Sequence, residues 1–417
     1  MLRVDTLIDN AQVATLAGGH GPLAGRRQGD LGLIDGGAVA VERDRIAAVG
    51  PRDEVLRRVT PTAIHDAGGR LVTPGLVDAH THLVWAGERA AEFELRIGGA
   101  SYLEIMEAGG GIASTVRHTR AASDDELLAG VISRLDRMMA HGTTTTEAKS
   151  GYGLDTREEL RQLAVLRRAD AEHPVRIART FIGAHAVPDE YRGRQEDYVD
   201  LVVEEMLPEV ARRNPGVFCD VFCDDGAFTI EQTERVLTRA AELGLPLKVH
   251  SDEFANLGCT ALAARLGAVS ADHLAVTSPA EMEAMAASGT VAVLLPGTTF
   301  GLGSSHYADA RAMVERGVPV ALGTDLNPGT CPCESLPFMM ALATRYMRLT
   351  PAEALVAVTR NAAAALGRGD DTGRLEEGGS ADLVVMDTAD YRDLSYRFGG
   401  SPAAAVMIGG RWTYGRA

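Results

Sequence analysis

The stretch LVDAHTH, residues Leu76–His82, begins as an apolar run and ends in two histidines. His80 and His82 are two residues apart, so in a β-strand their side chains point to the same face. In a barrel of parallel strands that face is the interior, and active sites lie where the strands end. Two imidazoles placed in this way could hold one metal ion, although a lone His-x-His pair is more often a surface or hydrogen-bonded pair.

Seven more apolar runs follow along the chain. With the first they make eight candidate strands, at Leu76–His82, Thr143–Lys149, Ile177–His185, Val217–Asp224, Pro246–His250, Ser270–His273, Val291–Pro296 and Val320–Asp325. Helix-like stretches lie between them, at Asp124–Met139, Thr156–Ala169, Ile230–Leu243 and Pro279–Ala287 among others. Several of these begin with a Ser, Thr or Asp cap. Eight alternating strands and helices predict an α/β fold of the (β/α)8 TIM-barrel type.

The two ends of the chain differ from this middle. Short strand candidates separated by glycine-rich turns occur near the start, at Gly37–Val41 and Arg45–Val49, and near the finish, at Ala381–Met386 and Ala404–Trp412. We therefore expect a small composite β-sandwich domain built from residues 1–72 plus 370–417. A TIM-barrel catalytic domain then covers residues 73–369.

Composition excludes several classes of function. A net charge of −16 and the absence of a basic tract disfavour nucleic acid as a partner. No apolar run reaches the length of a membrane span, and Met1–Leu16 does not have the pattern of a signal peptide, so we expect no membrane association and a cytoplasmic location. The five cysteines are an odd number, which favours free thiols over a disulfide framework.

Lysine is nearly absent from the chain. Of the 41 lysine and arginine residues, only Lys149 and Lys248 are lysines. The simple interpretation of this bias is a general preference for arginine codons. A lysine that persists despite it is a candidate for a role that a guanidinium cannot fill, because arginine neither titrates nor acts as a nucleophile in proteins.

Further polar residues lie where other apolar runs end. His250 ends the fifth run and precedes Glu253, His273 ends the sixth, and Asp325 ends the eighth. Any one of them could be a hydrogen-bonded core histidine or a helix-capping aspartate. Their joint placement at strand ends is not expected by chance, and it predicts a cluster of metal-ligating groups at one end of the barrel.

This combination resembles the amidohydrolase superfamily, and the resemblance covers the whole chain. It is carried by the strand-end ligands together with Thr73–Asp78, Gly373–Gly378 and Ala381–Val384. Finer motifs resemble the imidazolonepropionase family, namely EAKSGYG at Glu147–Gly153, FIGAH at Phe181–His185, HSDE at His250–Glu253 and TDLNPG at Thr324–Gly329. One departure is Thr330, where the resemblance leads us to expect serine; threonine keeps the hydroxyl and adds a methyl group.

The resemblance implies a metal-dependent hydrolase. It implies one zinc or iron ion per chain, held by His80, His82, His250 and Asp325. Such a ligand set leaves room for a water, whose pKa a divalent ion lowers to about 7. The implied catalytic residues are Asp325, which takes a proton from that water, Glu253, which passes it to the leaving nitrogen, and His273, which stabilises the developing negative charge.

The implied substrate is a small molecule, 4-imidazolone-5-propanoate. Hydrolysis of this cyclic amide gives N-formimidoyl-L-glutamate during histidine degradation. The resemblance assigns Arg89 to the propionate tail, which suits the fork of a guanidinium. The other implied substrate contacts are Tyr102, Tyr152, His185, Glu253, Asn327, Gly329 and Thr330. Gly109–Gly111 could be the hinge of a closing loop or a simple turn, and the family implies a homodimer.

Two other functions stay open at this point. The same set of His, Glu and Asp residues supports an aminohydrolase that removes an amino group from a heterocycle, although Arg89 and the Tyr152 motif favour the imidazolone. A non-catalytic scaffold with the same barrel is the second alternative. Polar groups that converge in a cleft without partners speak against a scaffold, because they would cost stability for no purpose.

Overall fold

The computed structural model describes residues 1–99 and 110–415. Its strands are β1 (Leu2–Ala14), β2 (Leu33–Glu42), β3 (Arg45–Pro51), β4 (Val59–Asp66), β5 (Leu71–Pro74), β6 (Leu76–Asp78), β7 (Thr143–Lys149), β8 (Arg176–Ala184), β9 (Phe218–Cys223), β10 (His250–Ser251), β11 (Ser270–His273), β12 (Val291–Leu294), β13 (Val320–Leu322), β14 (Leu383–Met386), β15 (Ala403–Ile408) and β16 (Arg411–Tyr414). Its α-helices are Arg52–Arg58, Ala90–Ile97, Ile112–Ala121, Asp124–Ala140, Thr156–Glu172, Gln195–Leu201, Leu207–Arg213, Ile230–Glu242, Cys259–Leu266, Pro279–Ser288, Pro296–Gly301, Ala310–Glu315, Leu336–Tyr346, Pro351–Ala357, Arg360–Ala365 and Asp393–Tyr396. Shorter turns of 3-10 helix lie at Gly25–Gly29 and Asp189–Tyr191, and a π-helical turn lies at Val202–Met206.

Strands β6 to β13 form one parallel sheet of eight strands, arranged in chain order. Nearly every residue in these strands is buried, as expected when helices cover a parallel sheet. The helix Asp124–Ala140, for example, buries Leu127, Val131, Leu135 and Met138 along one face. The (β/α)8 barrel predicted from the eight apolar runs is therefore confirmed.

The first and last strands close this barrel just beyond their own ends. The backbone N–H of Asp325 donates to the carbonyl of His80 at 2.9 Å, and that of His82 donates to the carbonyl of Leu326 at 2.9 Å. These bonds align the segment after β6 with the segment after β13. Residues more than two hundred positions apart in the sequence thus become direct neighbours.

The second sheet contains strands from both ends of the chain. Its order is β16-β15-β14-β5-β1-β2-β3, and β4 also pairs with β1. Strand β5 pairs with β14 in antiparallel fashion, so the N-terminal and C-terminal segments combine as the sequence predicts, and they do so within one mixed sheet. Buried side chains from both segments, such as Ile8 and Leu383, share one apolar core. Gly75 alone connects β5 to β6, and a Cβ there would lie 2.1 Å from Oγ1 of Thr144, so only glycine fits.

Side-chain caps begin several barrel helices, as the sequence predicts. Ser123, Thr229 and Ser278 each accept a hydrogen bond from the backbone N–H three residues ahead, and the side chain of that third residue bonds back to the cap. Asp155 caps the helix Thr156–Glu172 in a similar way. Among the helices of the described residues, none is both long and apolar enough to cross a membrane.

The expectation of free thiols is wrong for one pair of cysteines. Cys223 and Cys259 form a disulfide, whereas Cys219, Cys331 and Cys333 are free. Cys223 ends β9, and Cys259 begins the helix that follows β10, so the packing of neighbouring strand-helix units brings them together. Their separation of 36 residues in the sequence gives no sign of this contact.

Arg360 attaches the loop after β1 to the barrel. Its guanidinium is fully buried and donates to the backbone carbonyls of Leu16 at 2.8 Å, Gly18 at 3.3 Å, Gly19 at 2.8 Å and Gly21 at 2.9 Å. A single side chain therefore satisfies four carbonyls of one loop. The bond to Leu16 is buried, so its loss costs free energy because water cannot replace the donor. The carbonyls of Gly18 and Gly19 lie in exposed residues and also accept from Arg27 and Arg374.

We expect Arg360→Met to destabilise the fold. The free energy of unfolding should fall by about 3 kcal/mol, because a hydrogen bond from a charged donor contributes about 1.5–3 kcal/mol and several are lost. Urea unfolding followed by circular dichroism measures this change. Arg58→Met is the control, since Arg58 forms a half-exposed ion pair with Glu377 and such pairs contribute little. Equal stability of the two variants would show that the loop does not depend on Arg360.

Candidate active site

The strand ends carry the polar side chains that the sequence singles out. His80 and His82 follow β6, His250 lies in β10, His273 ends β11, and Asp325 follows β13. All five residues are at most 7% exposed. Because the carboxyl ends of parallel barrel strands meet at one rim, these five side chains lie close together.

The nitrogen and oxygen atoms of these side chains converge. The ligating atoms of His80, His82 and His250 lie within 4.8 Å of one another, and so do those of His80, His273 and Asp325. Nε2 of His82 lies 3.4 Å from Nε2 of His250. Oδ1 of Asp325 lies 3.5 Å from Nε2 of both His80 and His82. Several of these atoms are therefore close enough to bind the same ion.

The state of the buried imidazoles also fits a metal ion. Within residues 1–99 and 110–415, Nε2 of His80 has no hydrogen-bond partner. A buried polar atom without a partner costs free energy, and coordination of an ion removes that cost. Burial holds the pKa of His80 and of His82 well below the usual value, so both rings are neutral, which is the form that binds metals.

Asp325 is held in a defined orientation. Its backbone has a φ of 53°, in the left-handed region. Its Oδ2 accepts a hydrogen bond from the hydroxyl of Thr298, while Oδ1 faces His80 and His82. Burial raises the pKa of Asp325 to about 6, although the Thr298 bond acts in the opposite direction. The carboxylate can therefore accept a proton at a pH close to neutrality.

Glu253 and His273 lie beside a cavity of about 400 Å³ that also reaches Thr298. Oε2 of Glu253 is 3.5 Å from Nδ1 of His273. The carboxylate of Asp224 accepts hydrogen bonds from three consecutive backbone N–H groups that begin at Glu253, at 2.8–3.0 Å, and so fixes the loop. Burial, together with the negative charges of Asp325 and Asp224, raises the pKa of Glu253 well above its usual value, so it retains a proton that it can donate.

Arg89 lies against the backbone of Gly329. A Cβ at position 329 would lie 2.2 Å from Nη1 of Arg89, so the guanidinium occupies this place only because the residue is glycine. Nε of Arg89 donates to Glu92 at 2.9 Å, and Glu92 also accepts from the backbone N–H of Gly111 at 3.1 Å. Part of the guanidinium thus already has a carboxylate partner, which the sequence did not predict.

Tyr152 and His185 lie beside the ligand cluster. The ring of His185 stacks on that of His82 with centroids 4.9 Å apart, and the ring of Tyr152 lies 5.4 Å from that of His185. Nδ1 of His185 lies 3.0 Å from the carbonyl of Gly151, which is a position for donation. Burial lowers the pKa of His185 to about 4, so its Nε2 is left as an acceptor. Tyr102, also predicted for this pocket, lies outside the described residues, as does Gly109 of the predicted hinge.

Asn327 and Thr330 hold each other in a tight turn. Oδ1 of Asn327 accepts from the backbone N–H groups of Gly329 and Thr330, both at 2.8 Å. Its Nδ2 lies 2.9 Å from the hydroxyl of Thr330 and donates to it. The hydroxyl at position 330 therefore has a fixed place beside Asn327.

Two carboxylates that sequence analysis did not single out lie behind the histidines. Oδ2 of Asp272 is 2.6 Å from Nδ1 of His80, and Oδ2 of Asp220 is 3.0 Å from Nδ1 of His250. Both aspartates are fully buried in barrel strands. A carboxylate at Nδ1 fixes the tautomer and orientation of an imidazole whose other nitrogen binds a metal. The available signal was an acidic residue inside a buried strand.

Comparison with known sequences points to one family. The Amidohydrolase family model matches residues 71–413, and a model of the bacterial imidazolonepropionase-like composite domain matches residues 37–58. The imidazolonepropionase of Chloroflexus aggregans is 52% identical over 417 residues, which cover 98% of this chain and 98% of the relative. That of Symbiobacterium thermophilum is 51% identical and covers 99% of this chain and 97% of the relative.

Solved structures share the architecture at much lower identity. An adenosine deaminase from Xanthomonas campestris with bound zinc has a TM-score of 0.70 and 23% identity, and the match covers 100% of this chain and 94% of that one. The guanine deaminase of E. coli has a TM-score of 0.71 and 16% identity, with 99% and 100% covered. Matches at such low sequence identity show a shared fold and nothing more. That fold agrees with the barrel and mixed sheet described above.

Proposed function

This chain belongs to the imidazolonepropionase family of amidohydrolases, and on that basis we propose that it hydrolyses 4-imidazolone-5-propanoate to N-formimidoyl-L-glutamate in histidine degradation. The reaction breaks the bond between a carbonyl carbon and a ring nitrogen, and both halves stay in one product. The observation that supports it best is the convergence of metal-ligating atoms of three histidines and Asp325, buried beside Glu253.

His80, His82, His250 and Asp325 are the residues that would hold one zinc or iron ion per chain. Two observations support this set. Nε2 of His80 has no hydrogen-bond partner among the described residues, and His82 lies close to His250 as Asp325 does to His80 and His82. When bound, such an ion lowers the pKa of a water and polarises a carbonyl oxygen. Lys149 is an ammonium in this proposal, because its Nζ lies 2.7 Å from Asp220 and 2.8 Å from Glu147, where a carboxylated lysine would be repelled.

Two carboxyl groups move the protons. Asp325 takes a proton from the attacking water, because its carboxylate lies among the proposed ligands with Oδ1 facing His80 and His82. Glu253 keeps its proton because burial raises its pKa, and it gives that proton to the ring nitrogen as the bond breaks. His273, next to Glu253, donates a hydrogen bond to the carbonyl oxygen as negative charge develops there.

The remaining side chains orient the substrate. Arg89 binds the propionate tail through the part of its guanidinium that faces Gly329, with Glu92 holding the other part in place. Tyr152 and His185 contact the ring, and the turn of Asn327, Gly329 and Thr330 completes the described part of the pocket. Tyr102 is proposed as a further substrate contact on the resemblance alone. Family membership also supports a homodimer that acts in the cytoplasm on this small molecule.

Loss of a ligand should remove the metal. We expect His80→Ala, His82→Ala and His250→Ala to lose bound metal and turnover, because each deletes an imidazole from the set. Asp325→Asn should lose turnover. Metal content by mass spectrometry and product formation are measured in parallel, and the parent should hold one ion per chain. His20→Ala is the control, since that side chain is 90% exposed. Full occupancy and a normal rate in any ligand variant would exclude that residue from the site.

Loss of Arg89, the proposed partner of the propionate tail, should weaken substrate binding. We expect Arg89→Met to raise KM about tenfold or more, because a charge-assisted pair contributes roughly 1.5–3 kcal/mol and the tail is distant from the reacting carbon. Metal content should not change. Arg157→Met, which alters an 86% exposed arginine, is the matched control. An unchanged KM with a collapsed kcat would contradict the assignment of Arg89 to the tail.

The identity of the broken bond separates this function from deamination. Turnover of freshly prepared imidazolonepropanoate should yield formimidoylglutamate without ammonia, because the leaving nitrogen remains in the product. A glutamate dehydrogenase assay for ammonia and chromatography of the product detect the two outcomes. Release of one ammonia per turnover from an amino-substituted heterocycle, with imidazolonepropanoate untouched, would show an aminohydrolase instead.

A further inference from the structure

The two lysines of the chain lie together inside the barrel, close to the histidine cluster. Lys149 ends β7, and Lys248 lies two residues before His250. Both are fully buried. In a chain that otherwise uses arginine for every basic position, lysine therefore occurs only in this one place, which calls for a physical reason.

Lys149 supports one of the histidines through a carboxylate. Its Nζ donates to Oδ2 of Asp220 at 2.7 Å, and the same oxygen lies 3.0 Å from Nδ1 of His250. The other oxygen of Asp220 accepts from the backbone N–H of His250 at 3.1 Å. Asp220 is thus fixed between the ammonium on one side and the imidazole on the other.

Lys248 supports a second histidine through a longer series of bonds. Its Nζ donates to the hydroxyl of Ser270 at 2.8 Å, and that hydroxyl donates to Oδ1 of Asp272 at 2.6 Å. Oδ2 of Asp272 lies 2.6 Å from Nδ1 of His80. The two series are independent up to this point, yet each one begins at a lysine and ends at a proposed ligand. The Lys248 series ends at Nδ1 of His80, and the Lys149 series ends at the backbone N–H of His250.

Glu147 links the two series. Its Oε1 lies 2.8 Å from Nζ of Lys149 and 3.7 Å from Nζ of Lys248, while both ammonium groups lie 3.8 Å from Oδ2 of Asp272. Three buried carboxylates therefore surround two buried ammonium groups. Without the ammonium groups, the carboxylates would repel one another in a medium that screens charge poorly, and they would turn away or take up protons.

The hydrogen bond at Nδ1 of a histidine decides whether Nε2 has a lone pair free to bind a metal ion. The carboxylate of Asp272 at Nδ1 of His80 keeps the proton on that nitrogen, so the lone pair remains on Nε2. Nε2 of His80 faces Asp325 at 3.5 Å, and Nε2 of His250 faces His82 at 3.4 Å. An ammonium suits this task better than a guanidinium, because it is compact and directs its three donors to separate partners.

We propose that Lys149 and Lys248 are positioning residues that set the metal affinity of the site. Lys149 holds Asp220 on the backbone N–H of His250, and Lys248 holds Asp272 on Nδ1 of His80. The proposal rests on the ligand set given under the proposed function. It assigns the lysines no contact with substrate.

The test measures metal affinity directly. Purified full-length protein and its Lys149→Met and Ser270→Ala variants are loaded with zinc, and the dissociation constant is obtained by competition with a chromophoric chelator. We expect zinc binding to weaken about 10–100-fold, the usual effect of removing a group that orients a metal ligand. Ser270→Ala matters most, because it interrupts the Lys248 series without removing a charge and is a small change that the fold can accommodate.

Thr290→Ala is the matched control. The hydroxyl of Thr290 is also buried in the barrel and donates to the carbonyl of Ala268 at 3.0 Å, but it leads to no histidine. It should leave zinc affinity unchanged. Equal weakening by Ser270→Ala and Thr290→Ala would overturn the proposal, because the effect would then be a general consequence of a lost buried bond.

The remaining outcomes are also decisive. If Lys149→Met and Ser270→Ala fold and bind zinc as tightly as the parent, the proposal is overturned. If Lys149→Met does not fold, the proposal is tested by comparing Ser270→Ala with Thr290→Ala. Tight zinc binding by the parent without consumption of imidazolonepropanoate would remove the proposed substrate and leave the lysine proposal intact. Failure of the parent to bind zinc or iron would remove the ligand set and the lysine proposal with it.

Discussion

The site depends on the contact between the first and last barrel strands. Asp78, at the end of β6, accepts hydrogen bonds from the backbone N–H and the hydroxyl of Thr324, at 2.9 and 2.7 Å. Burial raises the pKa of Asp78 to about 7, and the two bonds from Thr324 act in the opposite direction by stabilising the carboxylate. A Cβ at Gly323 would lie 2.9 Å from Cβ of His80, so glycine is required for the two segments to approach. Only this closure places the histidines of β6 next to Asp325.

Much of the fold and part of the site could be predicted from the sequence, for a physical reason. A parallel strand buried on both sides is an apolar run, and a polar residue at its end marks the rim where chemistry takes place. The order of strands in the barrel is their order in the chain, so His250, His273 and Asp325 could be assigned to one rim without knowledge of their distances. The family motifs added the roles of these residues, which the spacing alone does not supply.

Contacts between distant strands could not be predicted in this way. The pattern of apolar runs gives the order of the strands but not their relative shift, and that shift decides which side chains face one another. The pairing of His80 with Asp272, and of Cys223 with Cys259, follows from it. The backbone at His273 is a second example, since its φ of 78° is uncommon outside glycine and no residue pattern announced it.

The buried charges explain why ammonium groups can lie so close to a proposed cation site. Burial would lower the pKa of Lys149, but Asp220, Glu147 and Asp272 outweigh it and raise the pKa, so the lysine stays charged. Burial would likewise raise the pKa of Asp220, yet His250 and Lys149 hold it well below its usual value. Each ammonium is thus neutralised by carboxylates at 2.7–3.8 Å, and the carboxylates remain in excess, three to two. An interior with surplus negative charge behind neutral imidazoles attracts a divalent cation, whereas the same imidazoles in an apolar barrel would lack both the charge and the fixed tautomer.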